Sequence, residues 1–215
     1  FSSVHPLFEE IGDASIAIIE HRFSERFSHL EAYGVFNVEW VTFVRDADGL
    51  ACLKKWREQC IEWCYARLED GRMGDQKYLD YWPTDFPGHV HVLQHPGAGV
   101  APWNFSNYKY STLGDSFQVN GHPLIFFHFH QFQILADGSF DYMSEKYAEG
   151  FEIPVHLYKA YECELIQSLE LVRHHVAEFN GGVRSVFMVR ARRVAQKFLP
   201  IQVRNFLRKM KVQMW

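Results

Sequence analysis

The spacing of hydrophobic positions changes along the chain, and each change marks an element. SIAIIE (15–20) is a short apolar run that predicts a buried strand, and FNVEWVTFV (36–44) predicts a second, rich in β-branched and aromatic residues. From Asp46 the period lengthens. Leu50, Leu53, Trp56, Cys60, Trp63 and Cys64 recur at three- and four-residue steps, predicting a helix to about Arg67 with one apolar stripe, before Gly71 ends the segment. DQKYLDYW (75–82) follows Gly74 and predicts a shorter helix that stops at Pro83. HVHVL (89–93) reads as a strand, and the Pro- and Gly-rich HPGAGVAPWN (95–104) as a loop. SFQVNGHPLIFFHFHQFQIL (116–135) predicts two more strands joined at Asn120-Gly121, a strong hairpin signal. Beyond about 154 the pattern is helical, over 154–179, 184–198 and 201–213, with breaks at Gly181-Gly182 and Pro200. The order is α/β first and a helical tail afterwards, without internal repeats.

One apolar run carries an anomaly. In PLIFFHFHQF (123–132), read as a strand, His128 and His130 share one face while Phe127 and Phe129 take the other. That face is either a site or a well-satisfied piece of core.

Composition narrows the class. At 215 residues and 47% hydrophobic, the chain makes one large domain, or one domain with an appendage, and buries roughly 70% of its unfolded surface without staples. Aromatic residues reach 16%, which suits a thick core or a sugar-stacking cleft. Cys52, Cys60, Cys64 and Cys163 include no Cys-x-x-Cys pair, so they indicate neither a zinc knuckle nor a disulfide framework, and read as reduced thiols of a cytoplasmic protein. No apolar run reaches the length of about 18 residues that a spanning helix needs. FSSVHPLFEE has neither an initiator Met nor a signal-peptide layout and reads as interior sequence, so the chain is expected to be part of a longer one.

Charge is uneven. Nine of the 22 Lys and Arg, and none of the 26 Asp and Glu, fall in 184–215, leaving 13 cations against 26 acids upstream. The basic tail mixes its cations with Phe, Val, Leu, Met and Trp at roughly helical spacing. It either lies on an anionic membrane surface, peripheral to the inner face of the plasma membrane, or packs its apolar side on the domain. Nucleic acid is a poorer fit, because no recognition motif accompanies the charge.

Four stretches carry candidate chemistry. Asp46-Ala47-Asp48 matches D-x-D, but it opens a helix, where acids cap and complement the dipole. In GDQKYLD (74–80), Gly74 permits an unusual backbone, Asp75 suits a helix cap and Gln76 sits in the first turn; a carboxylate and an amide there suit sugar hydroxyls. Asn37 stands in a strand of large hydrophobes and must find partners, and Glu39 shares its face. Trp103-Asn104 either puts an indole under a sugar ring or plugs the core edge.

In this order, FNVEWVTF, GDQKYLD, HPGAGVAPWN and FFHFHQF resemble a bacterial family of nucleotide-diphospho-sugar transferases with the GT-A fold, and more distantly the glycogenin-like retaining transferases of glycosyltransferase family 8. The match covers roughly 1–135. The resemblance implies an α/β fold, a GT-A-like mixed sheet with flanking helices, in which 1–150 is the C-terminal part of the transferase domain. Residues 151–215 then form a helical extension. It implies a glycosyltransferase that takes a sugar from a nucleotide-diphospho-sugar donor to a glycan or lipid-linked acceptor. Asn37 would contact the donor sugar, with Glu39, Gly74, Trp103 and Asn104 lining the donor and acceptor sites. Asp75 and Gln76 would stand beside the reacting carbon and the acceptor, and His128 would coordinate Mn²⁺ or Mg²⁺, leaving His130 to support the ligands from behind or to pack. A metal-bound imidazole must be neutral, so activity is expected to fall below about pH 6. The family's nucleotide-binding half, with its own D-x-D, would precede Phe1, and the present stretch alone is not expected to catalyse. Two positions depart from the pattern: Gln131 stands where the family usually has Gly, and Glu39 where Gly commonly follows Asn-Val.

Two rivals compete with this function. One is a non-catalytic carbohydrate-binding or scaffold protein derived from a transferase. The other is a metal hydrolase or lyase using His128 and His130 with His95 or His91.

Overall fold

β1 (Ile16–Glu20) is the central strand of a mixed sheet, antiparallel to β2 (Phe36–Phe43) and parallel to β3 (Val90–Val92). Its side chains alternate between two cores. Ile16 and Ile18 join Phe36, Cys52, Leu79 and Trp82, whereas Ala17 and Ile19 join Leu7, Ile11, Leu93, Ala98 and Ile125. A strand covered on both sides needs apolar residues at successive positions, and this one has them. The computed structural model describes residues 1–114, 116–142, 147 and 154–198. They fall into two units, Phe1–His128 and Phe129–Trp215. The fold class is mixed α/β with a helical C-terminal part, as expected; the expected boundary near 150 and the helix over 201–213 lie outside the described residues.

In the first unit, α1 (His5–Ile11) carries Pro6 in its first turn and buries Leu7 and Ile11. α2 (Ala47–Glu62) starts from Asp46, whose carboxylate accepts from the Gly49 amide at 2.8 Å and from Ser15 Oγ at 2.8 Å. Asp46 is therefore a cap, and these hydrogen bonds hold its carboxyl below the ordinary range. The buried side of α2 keeps Trp56 and Trp63 of the expected stripe but not Leu50 and Leu53, which face solvent while Gly49 and Cys52 face inward. The close packing of Gly49 sets this roll, because a Cβ there would stand 2.2 Å from the Val44 carbonyl oxygen. The helix also ends before the expected Arg67. Trp63 turns to extended backbone, its ring is buried, and its carbonyl takes the Tyr78 hydroxyl at 2.7 Å.

Residues 76–81 form a 3₁₀ segment that leads into one turn of α-helix, α3 (Trp82–Asp85). Pro83 does not stop the helix but sits in the first turn of α3, where its missing N–H costs nothing. A small antiparallel sheet follows, of β4 (Tyr110–Leu113), β5 (Ser116–Val119) and β6 (His122–Pro123). Asn120 (φ 51°) and Gly121 (φ 80°) make the expected hairpin turn. Residues 124–132, however, are not a continuous strand. Leu124 N bonds Phe117 O, but Ile125 N and Phe126 N both bond Gly97 O, and His128 N bonds Val100 O. The segment thus changes partner from β5 to the 95–100 loop, and strand alternation does not place His128 and His130.

The second unit holds β7 (Gln133–Leu135) between β8 (Phe140–Asp141) and β9 (Val183–Arg184). α4 (Val155–His175) inserts Tyr158 into an aromatic cluster with Phe129, Phe132 and Tyr142. α5 (Val186–Phe198) follows β9 directly. Among the described residues no helix is long and apolar enough to cross a membrane.

Candidate functional site

The site begins with an irregularity in β2. Ile18 pairs with Val41 but Ile19 pairs with Asn37, so Val38, Glu39 and Trp40 bulge out between adjacent rungs. Bulges re-aim side chains and recur beside active sites. Asn37, buried at 4% exposure, stabilises the bulge: its Oδ1 accepts the Glu39 amide at 3.1 Å. The polar residue in this hydrophobic strand thereby turns Glu39 out of the ladder.

The 95–104 loop forms the facing wall, and three groups fix it. The Arg22 guanidinium donates to the carbonyls of Leu93 (2.6 Å), His95 (3.3 Å) and Ala98 (3.0 Å). Glu10 accepts from the amides of Gln94 and His95 and from His91 Nε2; burial would raise its pKa, but these bonds outweigh it and lower it. Asn104 is fully buried, accepts from the Ala101 amide and donates to the carbonyls of His21 and Gly99, each at 2.8 Å. Trp103 is also buried, with Nε1 donating to His21 O at 2.9 Å. The polar atoms of Trp103 and Asn104 are thus engaged with main chain and shape the wall. Gly99 (φ +70°) allows the closest approach, since a Cβ there would stand 2.9 Å from Glu39 Oε1.

His128 completes the site. Its backbone N–H donates to Val100 O at 2.8 Å, which brings the ring against Trp103, with centroids 5.0 Å apart, and puts Nδ1 2.9 Å from Glu39 Oε2. The Glu39 side chain is only 4% exposed, yet neither of its oxygens receives an aligned hydrogen bond. A buried carboxylate without donors is costly. Beneath the pair lies His21, 5% exposed, its Nδ1–H donating to Val35 O at 3.1 Å. Burial lowers its pKa to about 4, so it is neutral near pH 7.

The carboxylate and imidazole suit a hard or borderline divalent ion. Two neighbouring ligands of an octahedral ion with bonds of about 2.1 Å stand about 3.0 Å apart, close to the observed pair. Among the described residues no three His, Cys, Asp or Glu gather; Glu39 and His128 would supply two of the ligands such an ion needs. His130 packs on the ring of Tyr147 within the second unit, and His91 is engaged by Glu10.

The GDQKYLD stretch braces the start of β2. Asp75 does not cap the 3₁₀ segment through its side chain; its carbonyl accepts Trp56 Nε1 at 2.9 Å. Gln76 donates to Tyr33 O at 3.4 Å and packs on Gly34, while Gly74 takes φ 55°. Asp80 accepts the Val35 amide at 2.9 Å and pairs with Lys77 at 2.7 Å. The structure thus gathers Asn37, Glu39, Trp103, Asn104 and His128 around one bulge, places Gln76 beside Tyr33 and Gly34, and engages Asp75 with Trp56 and Gly74 with Tyr65. His21, Arg22 and Gly99 carried no pattern in the sequence that singled them out.

No family model matches the chain, and no solved structure matches it. Two curated relatives come from Bacillus subtilis (strain 168). "Uncharacterized protein YfnD" is 35% identical over 144 residues, covering 66% of this chain and 46% of the relative. "Uncharacterized protein YfnF" is 29% identical over 189 residues, covering 84% of this chain and 61% of the relative. The chain therefore spans about half the length of the curated relatives it matches.

Proposed function

We propose that the chain is part of a metal-dependent glycosyltransferase of GT-A type, moving a sugar from a nucleotide-diphospho-sugar to a glycan or lipid-linked acceptor. The observation that carries this is Glu39, a carboxylate with a 4% exposed side chain and no aligned hydrogen bond, held 2.9 Å from His128. Evolved folds leave such a group unsatisfied chiefly where a ligand completes it. Glu39 and His128 would hold Mn²⁺ or Mg²⁺ together with substrate oxygens, and the bound ion would neutralise charge on the departing diphosphate. Asn37 keeps Glu39 at the bulge, and Trp103 and Asn104 hold the wall beside the pair. Asp75 and Gln76 receive their places beside the reacting carbon from the resemblance.

The test uses the native polypeptide, a panel of nucleotide-diphospho-sugars and Mn²⁺, reading freed nucleoside diphosphate and sugar transfer. Turnover is expected to require the metal and to fall about 100-fold in His128→Ala and in Glu39→Gln. A panel without any metal-dependent turnover, or a His128→Ala variant as active as the parent, overturns the proposal.

A further inference from the structure

α5 is a helix turned inside out. Surface helices ordinarily bury the apolar face and expose the polar one. Here Phe187 (76%), Val194 (59%) and Phe198 (71%) are exposed, and at 3.6 residues per turn they fall within about 40° of one another. The orientation is set from the other side. Arg193 pairs with Asp141 of β8, while β9, one residue upstream of the helix, pairs in parallel with β7 through Ile134–Val183 and Leu135–Arg184. Val189 and Arg193, on the side away from Phe187 and Val194, are half-buried, as are Val186, Met188, Ala191 and Ala195 between the two sides.

From this geometry we infer that α5 docks on an anionic membrane surface. An open apolar groove runs along Phe187, Ala191, Val194 and Phe198, with the exposed Arg190 at its rim. Residues 184–215 contain nine Lys and Arg and no Asp or Glu. An apolar strip with Arg190 at its rim, in a stretch of sequence whose charged residues are all cations, matches a surface that is negative above and apolar beneath, the interface of an anionic bilayer. A second copy fits poorly, because an isologous pairing would set the same cations against each other. Docking here is independent of the transfer chemistry, and either can fail without the other.

The test is co-sedimentation of the full chain with vesicles of phosphatidylcholine, alone or mixed with phosphatidylglycerol, at low and high salt. Binding is expected to the mixed vesicles, about tenfold weaker to phosphatidylcholine alone, and weakened by salt. Val194→Asp and Arg190→Glu change exposed side chains and should leave the circular dichroism unchanged, while each lowers binding about tenfold. Absent binding, equal binding to both vesicle types, or binding indifferent to both substitutions overturns the inference. So does a dimer in sedimentation velocity that Val194→Asp dissociates.

Discussion

Acid should dismantle the site through His21. Its ring lies within the first unit, stacked on Phe23 at 4.5 Å, and its carbonyl holds both Trp103 and Asn104. Burial lowers its pKa from 6.5 to about 4. Between these values the unfolded chain binds a proton that the folded chain refuses, so stability falls as pH drops through this window. At about 1.4 kcal/mol per pH unit, the shift corresponds to about 3 kcal/mol, fully lost below about pH 4. The assay is urea denaturation of parent and His21→Phe between about pH 7 and pH 4. Phe preserves the ring, and Val35 O keeps the residue-21 amide at 2.9 Å, so the variant should lose only about 1 kcal/mol near pH 7. The parent-minus-variant difference isolates His21 from the other eleven of the 12 histidines. It should shrink and then reverse sign as pH falls. A difference that stays constant across the window refutes the reasoning.

Glu39→Gln should weaken Mn²⁺ binding by calorimetry about 10- to 100-fold; binding unchanged from the parent would mark Glu39 as a structural acid. Gly49→Ala should cost about 1–3 kcal/mol or more, since its Cβ would stand 2.2 Å from Val44 O; unchanged denaturation would show that α2 shifts freely. Gln131 holds φ 61°, so Gln131→Gly should gain about 0.5–1 kcal/mol as the left-handed strain is relieved, and a net loss in denaturant would count against it.

Gln131 also shows what a departure from a resemblance means physically. Gln131 holds left-handed backbone, the conformation that a Gly, which the resemblance leads one to expect there, adopts without strain. Glu39, the other departure, occupies the bulge and supplies the pair with His128. Both were visible as odd residues, but their consequences depended on backbone angles and on partners far along the chain.

Features governed by near neighbours were legible from the residues themselves. Ile16–Glu20 and Phe36–Phe43 lie where apolar, β-branched runs placed them, Asn120-Gly121 makes the hairpin turn, Asp46 caps α2, and α4 and α5 occupy the helical stretches. Propensity, period and capping act over a few residues, so the local sequence suffices for them. Tertiary structure decided the rest: the roll of α2 around Gly49, the bulge that lifts Glu39, the change of partner that carries His128 to Val100, and the outward apolar face of α5. Each depends on residues tens of positions apart meeting in space, as when Gly99 admits Glu39 and the carbonyl of His21 receives Trp103 and Asn104. A carboxylate in a strand and a histidine in an apolar run become a site only when the long-range packing that neither encodes alone sets them 2.9 Å apart.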